Sequence, residues 1–290
     1  MRFAYLIMAH NNAAQLKNLL TLLDWEENDI FLHIDKKSKV IDEKELEGVI
    51  KKAQIHIYKE IKVFWGDISQ TKCQFFLMEK AIEKHHDYYH LLSGSDLPIK
   101  RHDEIMNFFK ANEGKQFIHF ESNVISENEL CKYYHLGCSR MQRTRHERIK
   151  KIWRGIDNIG VAIQKKMHMG RTLYRGANWF SITHELAKDL VYNKARMLKK
   201  IRWTISSDEC VLQTFVKCVS KKSYELYYVT KSEYEGKAMV REIDWKRGNP
   251  YVWKAEDYDA LMMSDSMFAR KFDENIDNRI IEKISQYLSI

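Results

Sequence analysis

The chain is expected to fold as an α/β structure, a mainly parallel central sheet with helices on both faces. Three observations predict it. Short apolar runs alternate with amphipathic stripes through residues 2–120, polar clusters follow several of the runs, and 44% of the 290 residues are hydrophobic, enough for a large core. With 2 prolines and 11 glycines there is no linker, low-complexity segment or repeat, so one domain over 1–290 is expected.

The elements follow in order. Arg2–Ala9 reads as a strand. Leu16, Leu19, Leu20 and Leu23 share one stripe, which makes Ala13–Leu23 a helix. Ile30–Ile34 is a strand, Glu43–Ala53 a charged helix and Ile55–Tyr58 a strand. Apolar positions that include Phe75, Phe76 and Met78 mark a helix over Ser69–Lys84. Tyr88–Leu92 is a strand entering a turn at Ser93–Pro98, and a helix at Asp103–Lys110 and a strand at Gln116–Phe120 complete the alternation. Further on, Arg175–Thr183 reads as a strand whose Thr183 caps a helix carrying Leu186 and Leu190. Ser207 or Asp208 is placed to cap another helix, with Glu209 in its first turn, where the helix dipole favours a carboxylate. Met239–Trp245 is a short strand containing Arg241.

Ligands in such sheets bind beyond the carboxyl ends of the strands, where His33–Lys37 and Ser93–Asp96 stand. Asp35 there is either a turn residue capping its own backbone or an acceptor for a ribose or base. In Met267–Asp277, Arg270 and Lys271 are adjacent inside an apolar segment. Neighbouring residues point to different faces, so at least one of the two cations needs an anion.

Charge is uneven. Arg140–Arg175 holds 11 basic residues against Glu147 and Asp157, an excess of +9 in a chain whose net charge is +8. A solvated face, an anionic membrane or glycolipid surface, and nucleic acid are the three readings. Sparse aromatics (Trp153 and Tyr174) weigh against nucleic acid. Five scattered cysteines without a C-x-x-C pair argue against a disulfide framework and a zinc site, and predict reduced thiols in a cytosolic protein. Phe3–Met8 is too short for a signal core or a span, and no later run is long enough, so a soluble protein that stays where it is made is expected. His90 falls on the strand Tyr88–Leu92, so His86 and His90 are not read as an i,i+4 helical metal pair. Asp257-Tyr258-Asp259 has the letters of a metal-binding D-x-D, but it lies in a C-terminal helix far from the Ser93–Pro98 turn and is read as surface.

Five fragments in order resemble the Core-2/I-branching enzyme family of glycosyltransferases: V-F-W-G-D-I-S (63–69), H-L-L-S-G-S-D-L-P-I-K (90–100), A-N-W-F-S-I (177–182) with S-S-D-E (206–209), V-R-E-I-D-W (240–245), and F-A-R-K-F-D (268–273). The resemblance implies a bacterial-type member with a GT-A-type nucleotide-sugar fold. Its reaction would be inverting and metal-independent, moving GlcNAc or xylose from a UDP-sugar to a glycan or glycolipid hydroxyl. It assigns residues 1–120 to the nucleotide and 176–290 to the acceptor and diphosphate, with 121–175 a basic insertion. Glu209 is the implied general base, and Arg241, Arg270 and Lys271 the diphosphate ligands. His10, Asp35, Lys37, Trp65, Gly66 and Asp96 border the donor. Trp179 and Asp208 face the acceptor, although Ala177 stands where the family pattern has Ser. No metal and no cofactor are implied, and the expected place is the cytoplasm, peripheral to the inner membrane face. A nucleic-acid-binding protein, and a glycoside hydrolase using Asp96 and Glu209, are the alternatives.

Overall fold

The computed structural model describes residues 1–121, 125–227 and 235–289. Its strands are β1 Phe3–Ala9, β2 Asn28–Ile34, β3 Gln54–Tyr58, β4 Tyr88–Ser93, β5 Asp96–Pro98, β6 Phe117–Ile118, β7 Phe180–Thr183, β8 Arg241–Ile243 and β9 Phe268–Arg270. Six of them form the central sheet in the order β3-β2-β1-β4-β7-β6. The first four of that order are mutually parallel, whereas β7 runs antiparallel to β4 and β6.

Both faces of the sheet are covered. Phe3, Tyr5 and Ile7 join one apolar layer with Leu16, Leu19 and Leu20 of the helix Ala13–Leu22 and with Ile280 and Ile284 of the C-terminal helix Glu274–Leu288. Ala4 and Leu6, on the alternate positions, join a second layer. It contains Phe75, Leu77 and Met78 of the helix Ile68–Ala81 and Leu186 and Leu190 of the helix His184–Tyr192. Burial on both faces is why β1 and β2 read as continuous apolar runs. Thr183 caps the second of these helices as expected, through its hydroxyl and the Leu186 amide.

Several elements are shorter than the sequence pattern suggests. The charged helix stops at Glu47, because the Asp24 carboxylate accepts the amides of Lys51, Lys52 and Ala53 and holds that segment in a turn. The strand expected from Arg175 begins only at Phe180, since the amides of Gly176 and Ala177 go to Glu209 O and His119 Nδ1. The strand expected at Gln116–Phe120 is limited to Phe117–Ile118, and that at Met239–Trp245 to Arg241–Ile243. Neither Ser207 nor Asp208 caps a helix. Ser207–Glu209 is a single 3₁₀ turn entered from Ser206 in the left-handed region (φ 52°), and the helix Val211–Thr214 follows it.

The turn after β4 holds the largest departure. Asp96–Pro98 is itself a strand, pairing antiparallel with β9, which pairs in parallel with β8. This second sheet brings residues 96, 241 and 270 together. His86 and His90 are buried separately, His86 against Asp29 (2.7 Å) and His90 against Ser181 Oγ (2.7 Å). The surface reading of Asp257 is corrected: it is buried and accepts from Arg247 Nη1 at 2.7 Å and from the Lys254 amide, while Asp259 is exposed. Among the described residues no helix is long and apolar enough to cross a membrane.

Candidate active site

The neighbours β2, β1 and β4 run parallel and in register, so the residues just past their ends share one rim of the sheet: Asp35, His10 and the Ser93–Asp96 turn. Asp35 is buried. Its Oδ1 accepts the amides of Lys37 (2.9 Å) and Val63 (3.4 Å), and its Oδ2 lies 3.3 Å from Lys37 Nζ. Asp35 thus caps its own turn, and Lys37 Nζ also reaches Val63 O and lies over the Phe64 ring. His10 has its pKa lowered, first by desolvation and then by the cations Lys37, Lys271 and Arg270, with Asp35 opposing. N-terminal and C-terminal motifs thus share one electrostatic environment.

β5 and β9 place Asp96 directly across from Arg270. Arg270 Nη1 donates to Asp96 Oδ1 at 2.7 Å and to Ser93 Oγ, and its guanidinium lies 4.7 Å from the Trp179 ring centre. Asp96 also accepts from the Ser93 hydroxyl (2.9 Å) and amide (2.8 Å), so both its oxygens are used as acceptors. The anion that the Arg270–Lys271 pair requires is therefore half supplied by the protein. Lys271 is half-buried and forms no ion pair among the described residues, which leaves a positive group at the site.

Arg241 is placed otherwise than the resemblance implies. Only 2% exposed, it donates from Nη1 to Ser181 Oγ (2.9 Å) and Met239 O, and from Nη2 to Leu91 O (3.2 Å) and Phe180 O (2.8 Å). Burial lowers its pKa to about 9 despite the nearby Asp96. With both terminal nitrogens committed to oxygens of β4, β7 and Met239, it clamps β4, β7 and β8 beneath the site. It is a positioning residue here, not a diphosphate ligand.

On the other side stands Glu209. Its turn is fixed by Ser206 N on Gly66 O (3.0 Å), Ser207 Oγ against Thr71 Oγ1 (2.8 Å), and Gly176 N on Glu209 O (2.9 Å). Only glycine fits at 176, because a Cβ there would meet His119 O at 1.9 Å. The Glu209 carboxylate remains partly exposed and is held by Arg175, which also holds Glu121. Gly66 is left-handed (φ 69°), and its amide goes to Gln70 Oε1. Gln70 Nε2 (3.4 Å) and Asn178 Nδ2 (3.1 Å) both donate to Asp208 Oδ2, so Asp208 ties the Trp65–Gly66 loop to the segment carrying Trp179. Asp208, which the resemblance assigns to the acceptor, is buried and stands as this hub.

Asp208 Oδ1 is buried without a partner, and the pKa is raised to about 7, by burial first and by the Glu209 charge second. A carboxyl whose folded pKa lies above its unfolded value is neutral without cost at low pH. It destabilises the fold as pH rises from about 4 through 7. Asp208→Asn is accordingly expected to gain in Tm relative to the wild type as pH goes from 5 to 8. A Tm difference that stays flat across that range would contradict the assignment.

Beside this turn opens a cavity of about 650 Å³, lined by Trp65, Met141, Gln142, Arg154, Val161 and Ile205 among others. Trp65 is 77% exposed at its edge. The insertion thus forms much of the wall of this cavity, opposite Trp65 and Ile205, with residues 122–124 outside the described residues. Not all of its basic residues face solvent. Arg171 is buried on the carbonyls of Tyr133 (2.8 Å) and Arg202 (2.9 Å), and Arg175 is half-buried on Glu209, whereas Arg143 is exposed and pairs with Asp67 (3.0 Å). Cys131 Sγ faces Cys210 Sγ at 2.7 Å, joining the insertion to the residue after Glu209. All five cysteines are free.

Sequence reasoning missed Arg175 and Gln70, which carry no local signature because each acts through a partner distant in the chain, and gave no role to Ser93 and Asn178, although both lie inside quoted motifs.

Xylosyltransferase 2 of Rattus norvegicus is 24% identical over 310 residues, covering 99% of this chain and 34% of that protein. Xylosyltransferase oxt of Drosophila melanogaster is 25% identical over 308 residues, again across 99% of this chain and 33% of the relative. The chain therefore spans about a third of the length of these relatives. The crystal structure of mouse xyloside xylosyltransferase 1 in its apo form aligns over 92% of this chain and 96% of that one, at 11% identity and a TM-score of 0.37. The family profile described as Core-2/I-Branching enzyme matches residues 3–266, nearly the whole sequence, and the chain belongs to that family.

Proposed function

We propose that this chain is an inverting glycosyltransferase that moves a sugar, GlcNAc or xylose, from a UDP-sugar to a hydroxyl of a glycan or glycolipid. The observation that carries the reading is the convergence at one rim of Asp35 and His10, the Asp96–Arg270–Lys271 group, and, linked to it through Trp179, Asn178 and Asp208, the carboxylate of Glu209.

Glu209 accepts the proton of the attacking hydroxyl, which approaches the anomeric carbon from the side opposite the departing diphosphate. Arg270 and Lys271 stabilise the charge that grows on that diphosphate; Arg270 is pre-oriented by Asp96 and Ser93, so little reorganisation is needed during reaction. Asp35, Lys37 and His10 border the nucleotide, and Trp65 and Trp179 supply flat apolar faces for the sugars. Arg270, held by Asp96 at the turn where a D-x-D metal site would be expected, brings a fixed cation there, and this supports a metal-independent mechanism. Asp96 works as an acceptor on both oxygens, which is unsuited to the proton-donating role a glycoside hydrolase would give it.

A screen of UDP-sugars for UDP release tests the reading. Turnover with UDP-GlcNAc or UDP-xylose, unchanged by EDTA, is expected. Turnover abolished by EDTA would overturn the metal-free mechanism, and glycan cleavage without any nucleotide would replace transfer by hydrolysis.

A further inference from the structure

We propose that the helix Glu147–Lys166 is a docking surface for an anionic lipid bilayer. Ile149, Ile152, Ile156, Ile159 and Ile163 recur at spacings of three and four and form one stripe, continued by Met167. Such a stripe normally packs against a core. Here its members are 41–64% exposed. The helix is packed through another side, where Asp157, Val161 and Gln164 are buried. At 100° per residue, Val161 lies roughly 180° around the axis from Ile152. The packed side is well held, with Asp157 on His135 at 2.6 Å and Gln164 on the amide (2.8 Å) and carbonyl (2.9 Å) of Tyr134. The isoleucines are therefore not awaiting burial by a rotation of the helix.

Charge selects the occupant. Arg148, Lys151 and Lys166 are exposed along one edge of the stripe, within the stretch whose excess is +9. A second copy laid stripe to stripe would set Arg148, Lys151 and Lys166, on a helix of six basic and two acidic residues, against their own copies. Nucleic acid would use the cations and leave the isoleucines in water. An anionic bilayer meets both: the isoleucines enter the boundary between headgroups and acyl chains, and the long basic side chains reach the phosphates. The helix is too charged to span, so it lies in the surface plane. Its opposite side, bearing Arg154 and Val161, lines the cavity that Trp65 and Ile205 also line, so docking leaves that cavity wall untouched.

The test is co-sedimentation of the full chain with phosphatidylcholine vesicles containing or lacking phosphatidylglycerol, without donor or acceptor, so that it does not depend on the transferase reading. Binding to the anionic vesicles is expected. Ile152→Ser/Ile156→Ser/Ile159→Ser should weaken it at least about 10-fold, as should Arg148→Gln/Lys151→Gln/Lys166→Gln, both with wild-type Tm. If the serine variant fails to fold, the glutamine variant carries the test. Wild type that stays in the supernatant with anionic vesicles, or variants that pellet equally well, would overturn the proposal. So would a dimer in equilibrium sedimentation that the serine variant dissociates.

Discussion

Glu209→Gln is expected to lower the rate of sugar transfer by about 10²–10⁴-fold, the usual contribution of a positioned general base. The amide matches the carboxylate in shape and still presents an oxygen to Arg175, so the 3₁₀ turn and the Gly176 contact should survive. What it cannot do is take the proton of the incoming hydroxyl. Arg175 keeps its pair with Glu121, and the side-chain oxygen of the introduced glutamine can still accept from it, so Tm should change little. UDP affinity measured by calorimetry should stay unchanged while kcat falls. A variant retaining transfer within a few-fold of wild type would remove Glu209 from the mechanism and direct attention to Asp208, the other carboxyl of the same turn.

Arg270→Ala and Lys271→Ala are expected to fail differently although the residues are adjacent. Arg270 is the ionic partner of the almost fully buried Asp96, so its removal leaves a buried charge unpaired, at a cost of about 3–5 kcal/mol. Trp179 loses its cation at the same time. Low Tm together with lost transfer is the expected result. Lys271 holds no described carboxylate, so Lys271→Ala should leave Tm unchanged and reduce kcat by roughly 10²–10³-fold, the loss seen when one group stabilising a developing anion is removed. Thermal melts alongside single-turnover kinetics separate the two. Equal loss of stability in both variants would mean that Lys271 is structural and that the diphosphate is neutralised elsewhere.

The contrast between Arg241 and Arg270 shows how far the sequence could be followed. Both lie in apolar surroundings near the C-terminus, and both were assigned to the diphosphate. One strand register sends Arg270 toward the Asp96 rim, while Arg241 turns under β4 and β7 and spends its donors on their carbonyls. Nothing in a one-dimensional pattern distinguishes them, because the difference lies in which neighbour each faces. The basic insertion divides in the same way: Arg171 and Arg175 read like Arg148, yet they are internal props.

The sequence alone determined the alternating α/β core, since a strand buried on both faces and a helix buried on one each leave a local periodicity. It also determined the motifs that place the chain in its family. Only the tertiary structure decided the second sheet, the buried station of Arg241, the hub at Asp208 and the outward isoleucine stripe. Each depends on contacts between residues tens to hundreds of positions apart, and a linear pattern carries no term for who meets whom.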